Sequence, residues 1–479
     1  MAVLWTLVPA LVHTAPPLDV VESALWGREW VVGTYKHPAM PAWFLELGRW
    51  LDRGNIGWPA YAASQLFNLA TLALTFLLAR DLAGPRVAAA ATLSLLGVEY
   101  FSWRSIEFNH TLAQMPFWIG AIWCAWLAIR RGTLVWWLAL GAMAALGLYA
   151  KLSNAMLLIV IAGWILWTPR GRASLMTPGP YIGALAFALL CVPIVRWLVT
   201  SGYQPLEYAS ARGRDQSLLA TALFPVNALL QVVPIAMSLW IAGVFARWPL
   251  SNAPPTAAPT ERDADAQLFL RVMTIAPALL SVLLALGGGS GLRVTWLAPS
   301  IPMLAILALA HFEDRLTDDV LRKLSALGLV LAIVIPLTYA AVVPWLSRVT
   351  SAPLLRVSWP QTEIARALSA AWTAETGKPL KIVAGSSWAA GLVALNHPDR
   401  PSILTDGNLV YSPWIMKAPA HGQGGPGALV VWTEGRTSSA TPELMALTKG
   451  LPIKEVRISL PRARPGEQVV YKYAVIAPQ

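Results

Sequence analysis

Residues 1–18 read MAVLWTLVPALVHTAPPL and residues 19–38 read DVVESALWGREWVVGTYKHP. The first stretch holds no Lys, Arg, Asp or Glu, whereas the second places Asp19, Glu22, Arg28, Glu29, Lys36 and His37 within one short segment. A charge-free apolar opening followed at once by a charged loop reads as a membrane span that surfaces. The loop is then either ordinary polar surface or the chemistry. Composition decides the class: 56% of the chain is apolar and 13% charged, where soluble domains average about a quarter charged, and the mean hydropathy is +0.55.

A spanning helix needs about 20 largely apolar residues to cross a hydrocarbon core about 30 Å thick. Suitable stretches recur at 54–79, 111–129, 132–150, 152–169, 173–195, 218–246, 273–292, 294–310 and 324–347, with a shorter run at 87–98 extended through Tyr100 and Phe101. With the opening segment, this predicts a mainly α-helical polytopic membrane protein of about eleven spans. The opening lacks the basic flank and the small-residue cleavage site of a signal peptide, so it reads as a first span with a short N-terminal end. Cys124 and Cys191 both fall inside predicted spans, which implies no disulfide framework.

The net charge of +11 accompanies a pI near 9.8. The basic residues are scattered through loops without a basic helix or recognition motif, so no nucleic-acid partner is expected. Arg80/Arg86, Arg130/Arg131, Arg170/Arg172 and Arg322/Lys323 fall on one side if the spans alternate, and the positive-inside rule makes that side cytoplasmic. The opposite side keeps Arg28, Lys36, Arg104, Lys151, Arg212, Arg214 and Arg293. A basic outer face is what an anionic substrate requires.

From about residue 349 charges return and the apolar runs shorten. PLKIVAG, PSILT, ALVVW and VVYKYAVIA read as strands by length and β-branched content, with helices expected near 361–376, 386–396 and 441–449. The expected organisation is a membrane domain over 1–348, containing a first outer loop at 14–58, and a soluble α/β domain over 349–479 on the same face as that loop. SNAPPTAAPTERDADA (251–266) reads as a solvated cytoplasmic linker, and AGSSWAAG (384–391) and GQGGPG (422–427) as glycine-bearing turns.

Ionisable residues gather at the outer mouths of the spans, in 19–53, EYFSWRSIEFNH (99–110), Lys151, GYQPLEYASARGRDQ (202–216) and Arg293, and almost none lie in mid-span. A transporter keeps such groups in mid-span facing a cavity, so the pattern favours a reaction at the membrane surface. The stretch opening at Asp19 reads as an amphipathic helix lying on the membrane, with Asp19 and Glu22 on one face continued by Trp26 and by Glu29 or Trp30. Lys36 suits a phosphate. His37 suits a base, a metal ligand or an interfacial residue. Asp19, Glu22, Glu107 and His110 in the same compartment leave a divalent metal possible, though no HxH or HExxH spacing supports one.

These features together resemble the GT-C superfamily of membrane glycosyltransferases, in the branch of protein O-mannosyltransferases and the lipid A aminoarabinose transferase. LDVVESALWGREW is similar to the acidic start of that family's first outer loop, YKHPAMPAW (35–43) to its Lys-Pro motif, and LGLYAKLSNAMLL (146–158) to a second lysine-bearing turn. EFNHTLAQMPFW (107–118) occupies the place of its second outer loop, and GLRVTWLAPSIP (291–302) resembles its late Arg–aromatic–Pro approach to a span. The resemblance covers roughly residues 1–347. It departs in the acidic motif, where the acids stand three apart instead of adjacent, and in the second loop, where Glu107, Asn109 and His110 stand where many relatives carry Asp.

The resemblance implies a GT-C-like inverting glycosyltransferase. It would move a sugar from a polyprenyl-phosphate donor to a glycolipid (lipid A-like) or protein acceptor at the outer face of a bacterial inner membrane, with the C-terminal domain periplasmic. Asp19 matches the family's base, with Glu22 beside it as a second catalytic candidate. Lys36, Lys151, Arg212, Arg214 and Arg293 are candidate phosphate ligands, because a leaving phosphate needs preorganised cations in a poorly solvated site. His37, Glu107, Asn109 and His110 are expected to line the sugar or acceptor pocket, and membrane lipids surround the tryptophan-rich helices. The rival readings are a polyprenyl-linked glycan ligase or polymerase, a lipid or sugar transporter, and a non-enzymatic scaffold.

Overall fold

The computed structural model describes residues 1–214, 217–245, 261–287, 291–350, 355–416, 419, 425–434 and 439–478. Residues 251–260 of the linker and 422–424 of GQGGPG lie outside these residues. The membrane half comprises α1 (Ala2–Val12), α2 (Leu18–Arg28), α3 (Met40–Leu51), α4 (Gly57–Ser94), α5 (His110–Arg131), α6 (Leu134–Ala150), α7 (Asn154–Trp167), α8 (Pro169–Ser174) and α9 (Gly179–Thr200). It continues through α10 (Gln204–Arg214), α11 (Leu218–Ala222), α12 (Phe224–Ile241), α13 (Glu261–Gly287), α14 (Ile301–His311) and α15 (Asp318–Val349). Six of the described helices are long and apolar enough by themselves to cross a membrane. Four shorter apolar helices and a kink at Gly84, which divides α4 in two, occupy the remaining predicted stretches.

The helices pack through small residues. Ala88, Ala90, Ala91, Ala121, Ala125 and Ala128 are fully or almost fully buried, which lets backbones approach closely where lipid supplies no hydrophobic drive for association. At the ends remote from the first loop, Arg86 pairs with Asp318 at 3.1 Å, Arg130 with Asp265 at 3.9 Å, and Arg170 also meets Asp265. The basic loops assigned to one side by alternation are thus tied together there.

The C-terminal part adds α16 (Gln361–Thr376), α17 (Ala389–Asn396), α18 (Pro442–Leu447) and a sheet of β1 (Ile382–Gly385), β2 (Ser402–Thr405), β3 (Ala428–Thr433), β4 (Lys454–Ser459) and β5 (Gln468–Ile476). The strand order is β2-β1-β3-β5-β4. β1 runs parallel to both β2 and β3, and β5 is antiparallel to β3 and β4. β1 and β3 are buried throughout, as central parallel strands covered on both faces are. Sequence reading found four strands and missed β4. KEVRIS is an edge strand whose Lys454, Glu455 and Arg457 are exposed, a charged pattern that blunts an edge but hides it from apolar scanning.

One expectation is corrected. The segment after Asp19 is not an amphipathic helix lying on the membrane: Val20, Val21, Ala24, Leu25 and Trp26 of α2 are all buried. Val21 and Leu25 enter the core of the C-terminal domain beside Leu368, Val383, Leu392 and Val431, each such burial stabilising by about 1.5–3 kcal/mol. On its other side α2 rests against α3 so closely that a Cβ at Gly27 would stand 2.3 Å from the Ala42 carbonyl oxygen. The surface helix is α3, which leaves Leu47, Trp50 and Leu51 exposed, with Trp50 beside Trp30. The C-terminal domain is further held by Arg400 to Glu46 at 2.7 Å and by Ser402 to Glu29 at 2.8 Å.

Candidate active site at the outer mouth

Asp19 stands in the first turn of α2, after a Pro-Pro pair that cannot continue a helix backwards. Helix N-termini leave amide donors unsatisfied, and α2 has no side-chain cap of its own. The carboxylate of Glu107, from the second outer loop, accepts the Asp19 amide at 3.1 Å. Asn109 then does two jobs. Its oxygen accepts from the Thr111 and Leu112 amides and so caps α5, while its nitrogen donates to the Asp19 carboxylate at 3.1 Å. The first and second outer loops are joined at the proposed base.

Burial raises the pKa of Asp19, and the like charge of Glu22 adds to it, while Asn109, Lys36 and Lys151 pull it back. Burial and then Asp19 push Glu107 up to about 7, against the opposing influence of the Asp19 amide, Arg104 and Arg356. Glu107 thus titrates near neutral pH beside an Asp19 whose pKa is also raised, which suits the pair to proton transfer.

Lys36 and His37 lie at the tip of a tight hairpin. Thr34 donates its amide to the His37 carbonyl at 2.9 Å, Ala39 donates to the Val32 carbonyl at 2.9 Å, and Gly33 bridges Pro38. Glycine is required at position 33, where a Cβ would meet the Trp197 ring at 2.3 Å. The Lys36 ammonium pairs with Glu22 at 2.5 Å and sits over the rings of Tyr35 and Tyr208. Burial disfavours its charge, but Glu22, Tyr35 and Tyr208 outweigh burial and hold its pKa above the usual lysine range. The His37 ring lies 4.3 Å from that of His110 in a tilted contact, and His110 Nε2 donates to the Pro38 carbonyl at 3.0 Å. Burial, and then His110, Lys151 and Lys36, keep His37 neutral.

Lys151 caps the end of α6 in extended backbone and donates to the Thr111 hydroxyl at 3.1 Å. Burial lowers its pKa to about 8, Asp19 opposes this, and Arg293 adds to it. Arg293 is half-buried and reaches the Arg212 carbonyl at 3.5 Å. The Arg212 and Arg214 side chains are exposed on α10, apart from this group; Asp215 and Gln216 lie outside the described residues. Asp19, Glu22, Lys36, His37, Glu107, Asn109, His110 and Lys151 are therefore brought together, with Arg293 acting on the cluster from its edge. Among the described residues no three His, Cys, Asp or Glu side chains gather to hold a metal ion, so the possible divalent metal has no ligand set there.

Sequence reading missed several neighbours. Arg356 acts on Glu107, Tyr208 faces Lys36 and His37, and Ser387, Asp406 and Tyr411 come from the C-terminal domain. Tyr208 lay inside the quoted 202–216 stretch, and Ser387 inside AGSSWAAG; neither carried a signal of its own. Beside Tyr35 a largely apolar cleft of about 650 Å³ opens between the hairpin, Val192, Arg196 and Trp197 of α9, and Leu409 and Pro413.

A family model described as dolichyl-phosphate-mannose-protein mannosyltransferase matches residues 36–197. That match takes in Lys36, the second outer loop and Lys151, and begins after Asp19 and Glu22. No curated protein matches the chain. Among solved structures, ArnT from Cupriavidus metallidurans bound to undecaprenyl phosphate aligns with a TM-score of 0.59 at 18% identity, over 98% of this chain and 96% of that one. The apo state of the same protein aligns with a TM-score of 0.56 at 17% identity, over 98% and 96%. At such identities the likeness establishes the fold, and it runs over nearly the whole of both chains. The chain is a multi-pass membrane protein with the fold of ArnT, and its resemblance to the GT-C membrane glycosyltransferases of the ArnT and protein-mannosyltransferase type is borne out by both comparisons.

Proposed function

We propose that the protein transfers a sugar from a polyprenyl-phosphate carrier to an acceptor at the outer face of a bacterial inner membrane, with inversion at the anomeric carbon. The observation that carries this reading is one connected group: Asp19 held by Asn109, which caps α5, and Lys151 held by Thr111 two residues further on. It sets a proton acceptor and a poorly solvated cation within one site, as the two ends of a glycosyl transfer need. The solved ArnT bound to undecaprenyl phosphate supports a carrier of that class.

In this reaction the acceptor hydroxyl loses its proton to Asp19 as its oxygen attacks the anomeric carbon. The bond to the carrier phosphate breaks on the opposite face, which inverts the centre. Lys151 and Arg293 stabilise the charge developing on the leaving phosphate. Lys36 joins them once the phosphate takes the place of Glu22. The neutral pair His37–His110 and the Tyr208 ring line the sugar site, and the cleft beside Tyr35 suits the prenyl tail. A glycolipid acceptor of the lipid A kind and a periplasmic position for residues 349–479 complete the reading.

The test uses the purified protein in lipid nanodiscs with a panel of undecaprenyl-phosphate sugars and bacterial envelope lipid, following release of undecaprenyl phosphate. Release by the wild type that falls by about 100- to 10,000-fold in Asp19→Asn, with carrier binding retained, is the expected result. Equal release by both removes Asp19 as the base, and no release from any donor by folded wild type sinks the transferase reading.

A further inference from the structure

The C-terminal domain reaches into the site with groups that the proposed reaction does not use. β1 is flanked by β2 on one side and β3 on the other, all three parallel. In open α/β sheets ligands collect outside the carboxyl ends of such strands, where the chain departs in opposite directions. Here those ends carry Ser386 and Ser387 after β1 and Asp406 after β2, and they meet the first outer loop. Ser387 donates to the same Glu22 oxygen that holds Lys36, at 2.8 Å. Tyr411 stacks on Tyr35 with ring centroids 4.0 Å apart and planes 15° from parallel.

Asp406 is the informative residue. Its backbone is pinned twice, by its amide to the Gly385 carbonyl at 2.8 Å and by the Thr441 hydroxyl to its own carbonyl at 2.7 Å. It adopts a φ of 54°, a conformation that costs a non-glycine residue energy and persists where the surroundings enforce it. Its half-buried carboxylate has no hydrogen bond or ion pair among the described residues. Burial raises its pKa, Lys36 opposes this, and Glu22 and Glu443 add to it, so the carboxylate shares the field of the Lys36–Glu22 pair. Held in place by its backbone and partly open to solvent, that carboxylate is free to accept from an incoming hydroxyl or N–H.

We propose that Asp406 and Tyr411 form a recognition wall for a polyhydroxylated ring, Asp406 accepting from ring hydroxyls and Tyr411, braced by Tyr35 stacked behind it, offering its outer aromatic face. Ser387 then acts as a positioning residue through Glu22. This inference rests on the glycosyl-transfer reading and deepens it, for it assigns choice of the sugar to the soluble domain. Two rings carry this chemistry, the donor sugar and a sugar of the acceptor headgroup, and the test separates them.

The full-length protein in nanodiscs is assayed with undecaprenyl-phosphate mannose, undecaprenyl-phosphate glucose and other undecaprenyl-phosphate sugars, comparing wild type, Asp406→Asn, Tyr411→Leu and Ser387→Ala. The readouts are the ratio of kcat/KM between donors, the apparent KM for envelope lipid, the binding of sugar-free undecaprenyl phosphate, and the thermal midpoint. A change of at least about tenfold in the donor ratio in Asp406→Asn, with carrier binding and thermal midpoint unchanged, assigns the wall to the donor sugar. A rise confined to the envelope-lipid KM assigns it to the acceptor. A purely structural role moves kcat/KM for all donors together and leaves the ratio fixed, and that outcome overturns the proposal, as do variants equal to wild type. Failure of wild type to turn over any donor overturns the glycosyl-transfer reading itself, which distinguishes the two failures.

Discussion

Lys36 and Lys151 looked alike in sequence, each a single lysine in a turn at the outer end of a span. The structure gives them opposite surroundings. Lys36 is locked to Glu22 at 2.5 Å and flanked by two tyrosine rings. Lys151 makes no ion pair among the described residues and has the Thr111 hydroxyl as its partner. Glu22 holds one ammonium more firmly charged, and burial loosens the proton of the other. A lysine that stabilises the resting site and a lysine whose charge awaits an anion are different devices.

The sharpest way to break this contrast is to remove each charge. Lys151→Met is expected to lower kcat/KM by about 100- to 1,000-fold, as loss of a charge-stabilising donor does, with the thermal midpoint unchanged or raised because an uncompensated buried cation is gone. Lys36→Met is expected to lower kcat/KM as well and, unlike Lys151→Met, to cost about 1–3 kcal/mol of stability through the carboxylate it strands, with Glu22→Gln in the same chain restoring part of the stability loss. Thermal melts beside initial rates read both, and the contrast fails if the two variants behave alike.

pH gives a second handle. Lys151 loses its proton as pH rises through about 8, so donor KM is expected to climb between pH 7 and 9, and Lys151→Arg to keep it flat. The stability linkage runs the other way. The unfolded lysine binds its proton up to 10.5, so between about 8 and that value the unfolded state holds more protons and the Lys151 contribution to stability rises with pH. Lys36, whose folded pKa lies above its ordinary value, contributes stability that is fully present below 10.5 and is lost only above it. A pH-stability curve of Lys151→Met that keeps the rise would remove the assignment.

The smallest expected effect concerns the helices that frame the hairpin. α2 carries Asp19 and is buried, whereas α3 has a solvent- or lipid-facing edge. Trp50→Ser on that edge is expected to leave transfer rates within about twofold and stability within about 0.5 kcal/mol in nanodiscs. A large loss would mean that α3, not α2, positions the site.

Much was legible in the chain. Transfer of each side chain between water and hydrocarbon is close to a property of that residue, so apolar stretches and charged loops could be placed one residue at a time. Asp19, Glu107, Asn109 and Lys151 could be nominated because they stand in short stretches whose order resembles the loops of the GT-C family. Strand β4 was not legible, since one face of an edge strand is solvated and its charges mask the pattern. The burial of α2 was not legible either: VVESALW has the same composition whether it lies on a membrane or inside a domain, and the cover comes from Leu392, Val431 and their neighbours far along the chain.

The sequence by itself thus determined a polytopic membrane protein, a charged first loop, trailing strands and helices after the last span, and most of the residues that meet around Asp19. Tertiary structure alone decided which of them pair. Glu22 is met by Lys36 from 14 positions away and by Ser387 from 365 positions away, while Asp406 stands in the same field with no hydrogen bond or ion pair among the described residues. Hydropathy is a property of single residues and survives in the linear chain. An ion pair is a property of distance, and distance between remote residues exists only once the two domains have closed on the first loop.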